Sequence, residues 1–193
     1  MKANTIKGVF SPIISTKRLL LRPFELSDAP SMFKWASDEE VTRYLRFKTH
    51  ATLSESQSVI KHWLEEANSP YFFHWAIVHT ATGDVIGSIG LHILNYTDRR
   101  GEIGYCLTKV MWNHGYASEA LGAILCFGFE KANFNRLEAC HSVTNPASGK
   151  VMQKAGMRWE AGPLVAYYKS SQSGFQDVMM YALTKQQWSE INA

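Results

Sequence analysis

Apolar residues along this chain change period several times, and each change marks an element. Ile103, Tyr105 and Leu107 alternate with Glu102, Gly104 and Cys106, the period of two of a half-buried strand. A polar turn follows at Thr108. From Gly115 onward, Ala117, Leu121, Ile124, Leu125, Gly128 and Phe129 recur at steps of three and four, so a helix with one apolar stripe begins there. Residues 18 to 24 predict an earlier strand, with Leu19 and Leu21 on the face opposite Leu20 and Arg22. Ser27 is expected to cap a helix holding Met32, Phe33 and Trp35. Ser37 or Asp38 is expected to cap a second, containing Val41, Tyr44 and Leu45.

Ser54-Glu55-Ser56-Gln57 has the outline of a capping box ahead of Val59, Ile60, Trp63 and Leu64, and this third helix should end near Asn68, before Pro70. Residues 71 to 79 and 84 to 94 predict a hairpin, with Gly87 and Gly90 marking a bulge or close packing. Residues 136 to 142 form a short strand, and Asn145 opens a helix that closes near Gly156. Two antiparallel strands follow, 157 to 168 and 175 to 183. Residues 1 to 14 show no periodicity and are expected to be a loose leader to a single domain over 15 to 193. Strands at both ends with helices between them imply an α+β, mixed α/β sheet protein.

Composition narrows the function. A chain of 193 residues can bury about 70% of its unfolded surface around one core. With 46% hydrophobic and 19% charged residues, extended disorder is not expected. The net charge of +3 suits an anionic cofactor, but no basic run marks a nucleic-acid track. Three cysteines without a C-x-x-C pair argue against a disulfide framework or zinc site, and His74, His79, His92 and His141 lack metal-ligand spacing. The longest apolar run, 120 to 129, is far short of the ~20 residues that span a bilayer. No signal peptide is evident, and a cytoplasmic location without a membrane partner is expected.

A glycine at a helix N-terminus lets a ligand approach the backbone, and the first-turn N–H groups and the macrodipole suit a phosphate there. Trp112-Asn113-His114-Gly115-Tyr116-Ala117 fits Q/R-x-x-G-x-G/A, with Trp112 in place of the polar residue. Asn145-Pro146-Ala147-Ser148, with Val151, Lys154, Ala155, Gly156 and Met157, resembles N-x-x-S-x-x-V-x-x-K-x-G-F. Thr16-Lys17-Arg18-Leu19-Leu20-Leu21-Arg22-Pro23, with Asp28-Ala29, looks like T-x-R-L-x-L-R-P. Together these motifs resemble the GCN5-related N-acetyltransferases (GNAT family), in particular the RimJ/RimL-like ribosomal-protein N-terminal acetyltransferase branch.

The resemblance implies a mostly antiparallel sheet whose fourth and fifth strands run parallel and splay apart. It also implies direct transfer from acetyl-CoA, without a metal, to a primary amine. By motif position, Asn113, His114, Gly115, Tyr116, Ala117 and Ser118 would hold the pyrophosphate. Cys106 and Leu107 would offer backbone to the pantetheine arm and thioester carbonyl, and Asn145 would hydrogen-bond the pantetheine. Glu119, one turn into the helix, would repel phosphate unless it points away.

Glu102 lies 13 residues before Gly115, close to where some family members place a catalytic base. The alternatives are a solvent-facing residue or a pair with Arg99, Arg100 or Lys109. Where many members carry a tyrosine acid this chain has Met152, whose thioether donates no proton. The resemblance implies that the role falls to Ser148, whose motif position is similar to that of the serine contacting the coenzyme A thiolate in RimL-type enzymes. The alternatives are a first-turn hydroxyl for Ser148 and, more weakly, Tyr116 as the acid. The acceptor implied is a protein N-terminal α-amine of the ribosomal Ser/Ala type. A small amine (polyamine, amino acid or antibiotic), or a non-catalytic CoA-binding module, is the alternative. Monomer and homodimer stay open.

Overall fold

A computed structural model describes residues 11–66 and 72–192. Its strands are β1 (Ile14–Ser15), β2 (Leu19–Arg22), β3 (Phe72–His79), β4 (Val85–Asn95), β5 (Arg100–Leu107), β6 (Arg136–Ser142), β7 (Arg158–Ser170) and β8 (Gly174–Thr184). The helices are α1 (Ala29–Ala36), α2 (Glu39–Thr42), α3 (Leu53–Glu66), α4 (Tyr116–Cys126), α5 (Pro146–Lys154) and α6 (Lys185–Ile191). One sheet takes the order β1-β2-β3-β4-β5-β6-β8-β7. Neighbouring strands run antiparallel except β5 and β6, which run parallel and pair at Arg100↔Arg136, Gly101↔Leu137 and Glu102↔Glu138. Beyond Glu102 the two strands separate, which opens the sheet. They match the parallel fourth and fifth strands that the resemblance implies, displaced by one because the two-residue β1 is counted.

The period of two buries both faces. Leu19, Leu21, Trp75 and Ile103 pack with α4 residues such as Leu121 and Ile124 on one side. Phe24, Ala76 and Val78 meet Met32, Trp35 and Ile60 of α1 and α3 on the other. Close packing also explains Gly87, where a Cβ would lie 2.2 Å from the Cys106 carbonyl oxygen beside a register shift in β3–β4.

Several boundaries differ from the sequence expectation. A 3-10 turn, Leu26–Asp28, precedes α1, so Asp28 rather than Ser27 occupies its N-cap, and the Ser27 hydroxyl turns to Glu25 instead. Asp38 caps α2 by accepting from the N–H groups of Glu40 and Val41. That helix stops before Tyr44 and Leu45, because the carbonyls of Arg43, Tyr44 and Leu45 accept hydrogen bonds from the end of β7 and the turn after it. The box at the start of α3 is Thr52 with Glu55: the Glu55 N–H donates to the Thr52 hydroxyl, and its carboxylate accepts from the Thr52 N–H.

The predicted end of α3 near Asn68, position 71 and the first ten residues of the expected leader lie outside the described residues. Ser11 and Pro12 are tied to β3, accepting from the His74 N–H at 3.0 Å and the Trp75 indole at 2.7 Å. The periodicity did not predict β1 or α6. A signal for α6 was present, since Thr184 and Gln187 form its capping box.

Candidate active site

The opening between β5 and β6 continues into a cavity of about 880 Å³. Alternation along β5 places Glu102, Gly104 and Cys106 toward the α1–α3 face, and Ile103, Tyr105 and Leu107 toward the α4–α5 face. Glu102 and Tyr105 both line the cavity, so it reaches both faces through the break in strand pairing.

The chain leaves β5 through a 3-10 turn, Lys109–Met111, into the loop ahead of α4. Trp112, the departure from the motif, donates its indole N–H to the Leu107 carbonyl at 2.9 Å and closes that turn. Asn113 and Gly115 take φ of 62° and 81°, in the left-handed region that these two residue types tolerate best. The His114 ring bonds back to the Trp112 carbonyl through Nδ1 at 2.7 Å. The first-turn N–H groups of Tyr116, Ala117 and Ser118 have no acceptor one turn earlier. A helix start of this form suits the pyrophosphate of coenzyme A.

Glu119 points away from that helix start. Its carboxylate accepts from the Thr16 hydroxyl at 2.6 Å, the Arg18 backbone N–H at 2.8 Å and Arg18 Nε at 2.7 Å. Burial alone would raise this carboxyl, but the hydrogen bonds from Thr16 and Arg18 outweigh it and hold it below the usual range. Arg18 also donates to the His114 carbonyl at 2.9 Å and lies 4.4 Å from the centre of the Tyr116 ring. The Tyr116 hydroxyl is 3.1 Å from His79 Nε2, and the residue is not among those lining the cavity.

On the other side of the opening, the Asn145 side chain caps α5 by accepting from the Ser148 N–H at 3.4 Å. The Tyr105 hydroxyl lies 3.0 Å from Ser148 Oγ and 2.9 Å from the Ser148 carbonyl oxygen. Burial pushes the Tyr105 phenol up, so it stays protonated as a donor. Sequence reasoning missed Tyr105. A tyrosine on the apolar face of a strand needs a hydroxyl partner, and that was the available signal. Met152 is 1% exposed and lines the same cavity, where its thioether contributes packing and no proton donor.

Glu102 has none of the pairings weighed for it. Arg100 binds Glu138, Lys109 binds Glu40, and no ion pair joins Glu102 to Arg99 among the described residues. Cys140 Sγ lies 3.8 Å from Glu102 Oε1 as a weak donor. Burial raises the Glu102 carboxyl, Glu138 adds to the rise, and Arg46, Cys140 and Arg100 oppose it.

The thiols are poor nucleophiles. Burial pushes Cys106 up to about 11, and burial with the Glu102 charge pushes Cys140 up to about 12. His141 and Ser142 form no catalytic pair: the ring nitrogen Nδ1 bonds the Ser142 carbonyl, and the Ser142 hydroxyl bonds Gln176. Of the aromatics, Trp35 and Phe73 are core, whereas Tyr44, Phe47 and Trp63 line the cavity. Among the described residues no group of three or more His, Cys, Asp or Glu side chains is placed to hold a metal. No described helix is long and apolar enough to cross a membrane.

Residues 18–158 match the acetyltransferase (GNAT) domain family. YoaA of Bacillus subtilis, an uncharacterised N-acetyltransferase, is 31% identical over 174 residues, which span 90% of this chain and 97% of that protein. A GNAT-family acetyltransferase from Bacillus anthracis superposes with a TM-score of 0.78 at 25% identity, covering 91% of this chain and 99% of that one. Two further structures, each 18% identical, share the fold. They are ribosomal-protein-S5-alanine acetyltransferase from Vibrio fischeri, with TM-score 0.78 and coverage of 92% and 98%, and spermidine N-acetyltransferase from Vibrio cholerae in complex with CoA and spermine, with TM-score 0.76 and coverage of 90% and 99%. Their names point to different acceptors, so the shared fold does not choose between them. The chain belongs to the GNAT acetyltransferase family and is an acetyl-CoA-dependent N-acetyltransferase.

Proposed function

We propose that this chain acetylates the α-amine of a protein N-terminus, with Glu102 as general base and the Tyr105–Ser148 pair donating toward the leaving sulfur. One observation carries the reading: Glu102 and the hydroxyl pair enter one cavity from opposite faces of the opened sheet. Acetyl-CoA supplies the thioester. The amine lone pair forms the N–C bond at its carbonyl carbon, and the C–S bond breaks. Glu102 takes the surplus amine proton directly or through one water. Ser148, in the first turn of α5, meets the developing thiolate where the helix dipole favours negative charge, and Tyr105 supports it with a hydrogen bond.

An α-amine suits a carboxylate base. Its pKa of about 7.7–8.0, against about 10.4 for lysine, leaves much more of it neutral at physiological pH.

The test is thiol release from acetyl-CoA with peptides bearing free Ser, Ala or Met N-termini, an N-blocked peptide with an internal lysine, and small amines. The N-terminal peptides are expected to turn over best. Glu102→Gln, Ser148→Ala and Tyr105→Phe should each lose at least about tenfold in kcat. Faster acetylation of small amines or internal lysine would overturn the acceptor. If acetyl-CoA binds and nothing turns over, the catalytic reading fails.

A further inference from the structure

The loop after α2 is held to the end of β7 and the turn that follows it. Ser170 and Ser173 hydroxyls donate to the Arg43 carbonyl at 2.7 and 3.0 Å, and the Tyr168 hydroxyl donates to the Tyr44 carbonyl at 2.8 Å. The Ser171 N–H reaches the Leu45 carbonyl at 3.3 Å, and its hydroxyl reaches the Phe47 carbonyl at 2.6 Å. Gln172 donates to the hydroxyls of Thr42 and Thr49, both at 2.6 Å. The backbone on both sides of Arg46 is therefore fixed in place before any ligand arrives.

Arg46 itself lines the cavity, and its guanidinium lies 4.8 Å from the centre of the Tyr168 ring. Among the described residues the guanidinium has no carboxylate or carbonyl partner. Its charge nevertheless acts within the site, opposing the rise of Glu102 and lowering His92. The carboxylates lining the same cavity are Glu66 and Glu102, and neither is ion-paired to Arg46. The cavity thus presents both signs of charge, as an acceptor carrying an amine and an anion would require. A planar guanidinium fixed on an aromatic ring offers two parallel N–H donors, the geometry that a carboxylate matches.

We propose that Arg46, held on Tyr168, reads a carboxylate on the acceptor, so that favoured acceptors carry a carboxylate near the reacting amine and polycationic amines are disfavoured. The inference rests on the acetyl-transfer reading above and specifies its acceptor. The carboxylate has two possible sources, an acidic residue in the first positions of a protein N-terminus or a free amino acid.

The experiment compares peptides that begin Ser-Glu and Ser-Lys, free amino acids and spermidine. Each is measured as kcat/KM and as Kd for the CoA-saturated protein. The wild type should favour carboxylate-bearing acceptors by about tenfold, and Arg46→Glu should reverse the order. Arg46→Lys should keep the order with a smaller ratio, because the charge remains and the planar fork is lost. A better showing by peptides or by free amino acids supports the carboxylate and identifies its source.

Turnover without a charge preference, or a preference that Arg46→Glu leaves intact, overturns the role of Arg46 while acetyl transfer stands. Binding that shows the order without turnover overturns acetyl transfer and keeps Arg46. Neither binding nor turnover overturns both.

Discussion

Glu102 has a carboxyl that burial and the charge of Glu138 raise above its ordinary range, and stability and activity then depend on pH in opposite ways. Below the ordinary carboxylate range both the folded and unfolded chains are protonated, and the group costs the fold nothing. As pH rises from the unfolded value toward the raised folded one, the unfolded chain ionises first and the native state loses stability. Glu102→Gln removes that loss. The variant should melt above the wild type at about pH 8, converge with it below the ordinary carboxylate range, and transfer acetyl groups more slowly. Its pH–rate profile should keep the limb set by the amine, near about 7.7–8.0, and lose the lower one. A variant no more stable than wild type at high pH would remove the burial argument.

Strand alternation and motif position singled out Glu102 and Ser148, and both side chains line the cavity. Tyr105 carried only the signal of a phenol on an apolar strand face, and Arg46 carried none, because each depends on a partner far along the chain, Ser148 on α5 and Tyr168 on β7.

Helix α4 depends on a remote segment, since its N-terminus, which suits a phosphate, is braced by Arg18 immediately before β2. Arg18 holds the Glu119 carboxylate and the His114 carbonyl together, which orients the loop and keeps a negative charge turned aside. Arg18→Ala leaves Glu119 with the Thr16 hydroxyl and the residue 18 N–H, free to turn toward the phosphate. The KM for acetyl-CoA should rise about tenfold with kcat within about twofold, and adding Glu119→Gln should recover part of the loss. A fall in kcat at unchanged KM would show that the brace acts elsewhere.

Gly115→Ala tests the same element by another route. At φ 81° the strain should cost about 1–2 kcal/mol, whereas the added Cβ meets Arg18 Nη2 at an ordinary 3.5 Å. The motifs made this helix start legible, though the brace itself was not: the sequence showed Glu119 only as a charge in the wrong place. At α3, two overlapping box patterns fit the same spacing, and periodicity alone does not choose Thr52–Glu55 over Ser54–Gln57.

The sheet as a whole consists of two antiparallel parts, β1 to β5 and β6-β8-β7, joined at three parallel residue pairs. So short a seam needs support beyond backbone bonds. Arg100 on β5 donates to Glu138 on β6 at 2.9 and 2.7 Å, and Arg136 donates to the same carboxylate at 3.0 Å. Arg136 also grips Glu160 on β7. The Glu138 side chain is 2% exposed, so the two guanidiniums are what make its charge tolerable there.

Replacing Arg100 and Arg136 together by Met strands a buried carboxylate, at a cost of about 3–5 kcal/mol. For a chain of this size that lowers Tm by about 10 °C. Adding Glu138→Gln to the double variant should restore most of the loss. If the triple variant melts as low as the double, the seam depends on packing and not on charge.

Glu138→Gln alone carries the argument back to the site. It removes a negative charge that raises Glu102 and releases Arg100, which lowers it. Both changes act in one direction, so the acid limb of the pH–rate profile should move to lower pH. A limb that stays in place would detach Glu102 from the seam that positions it.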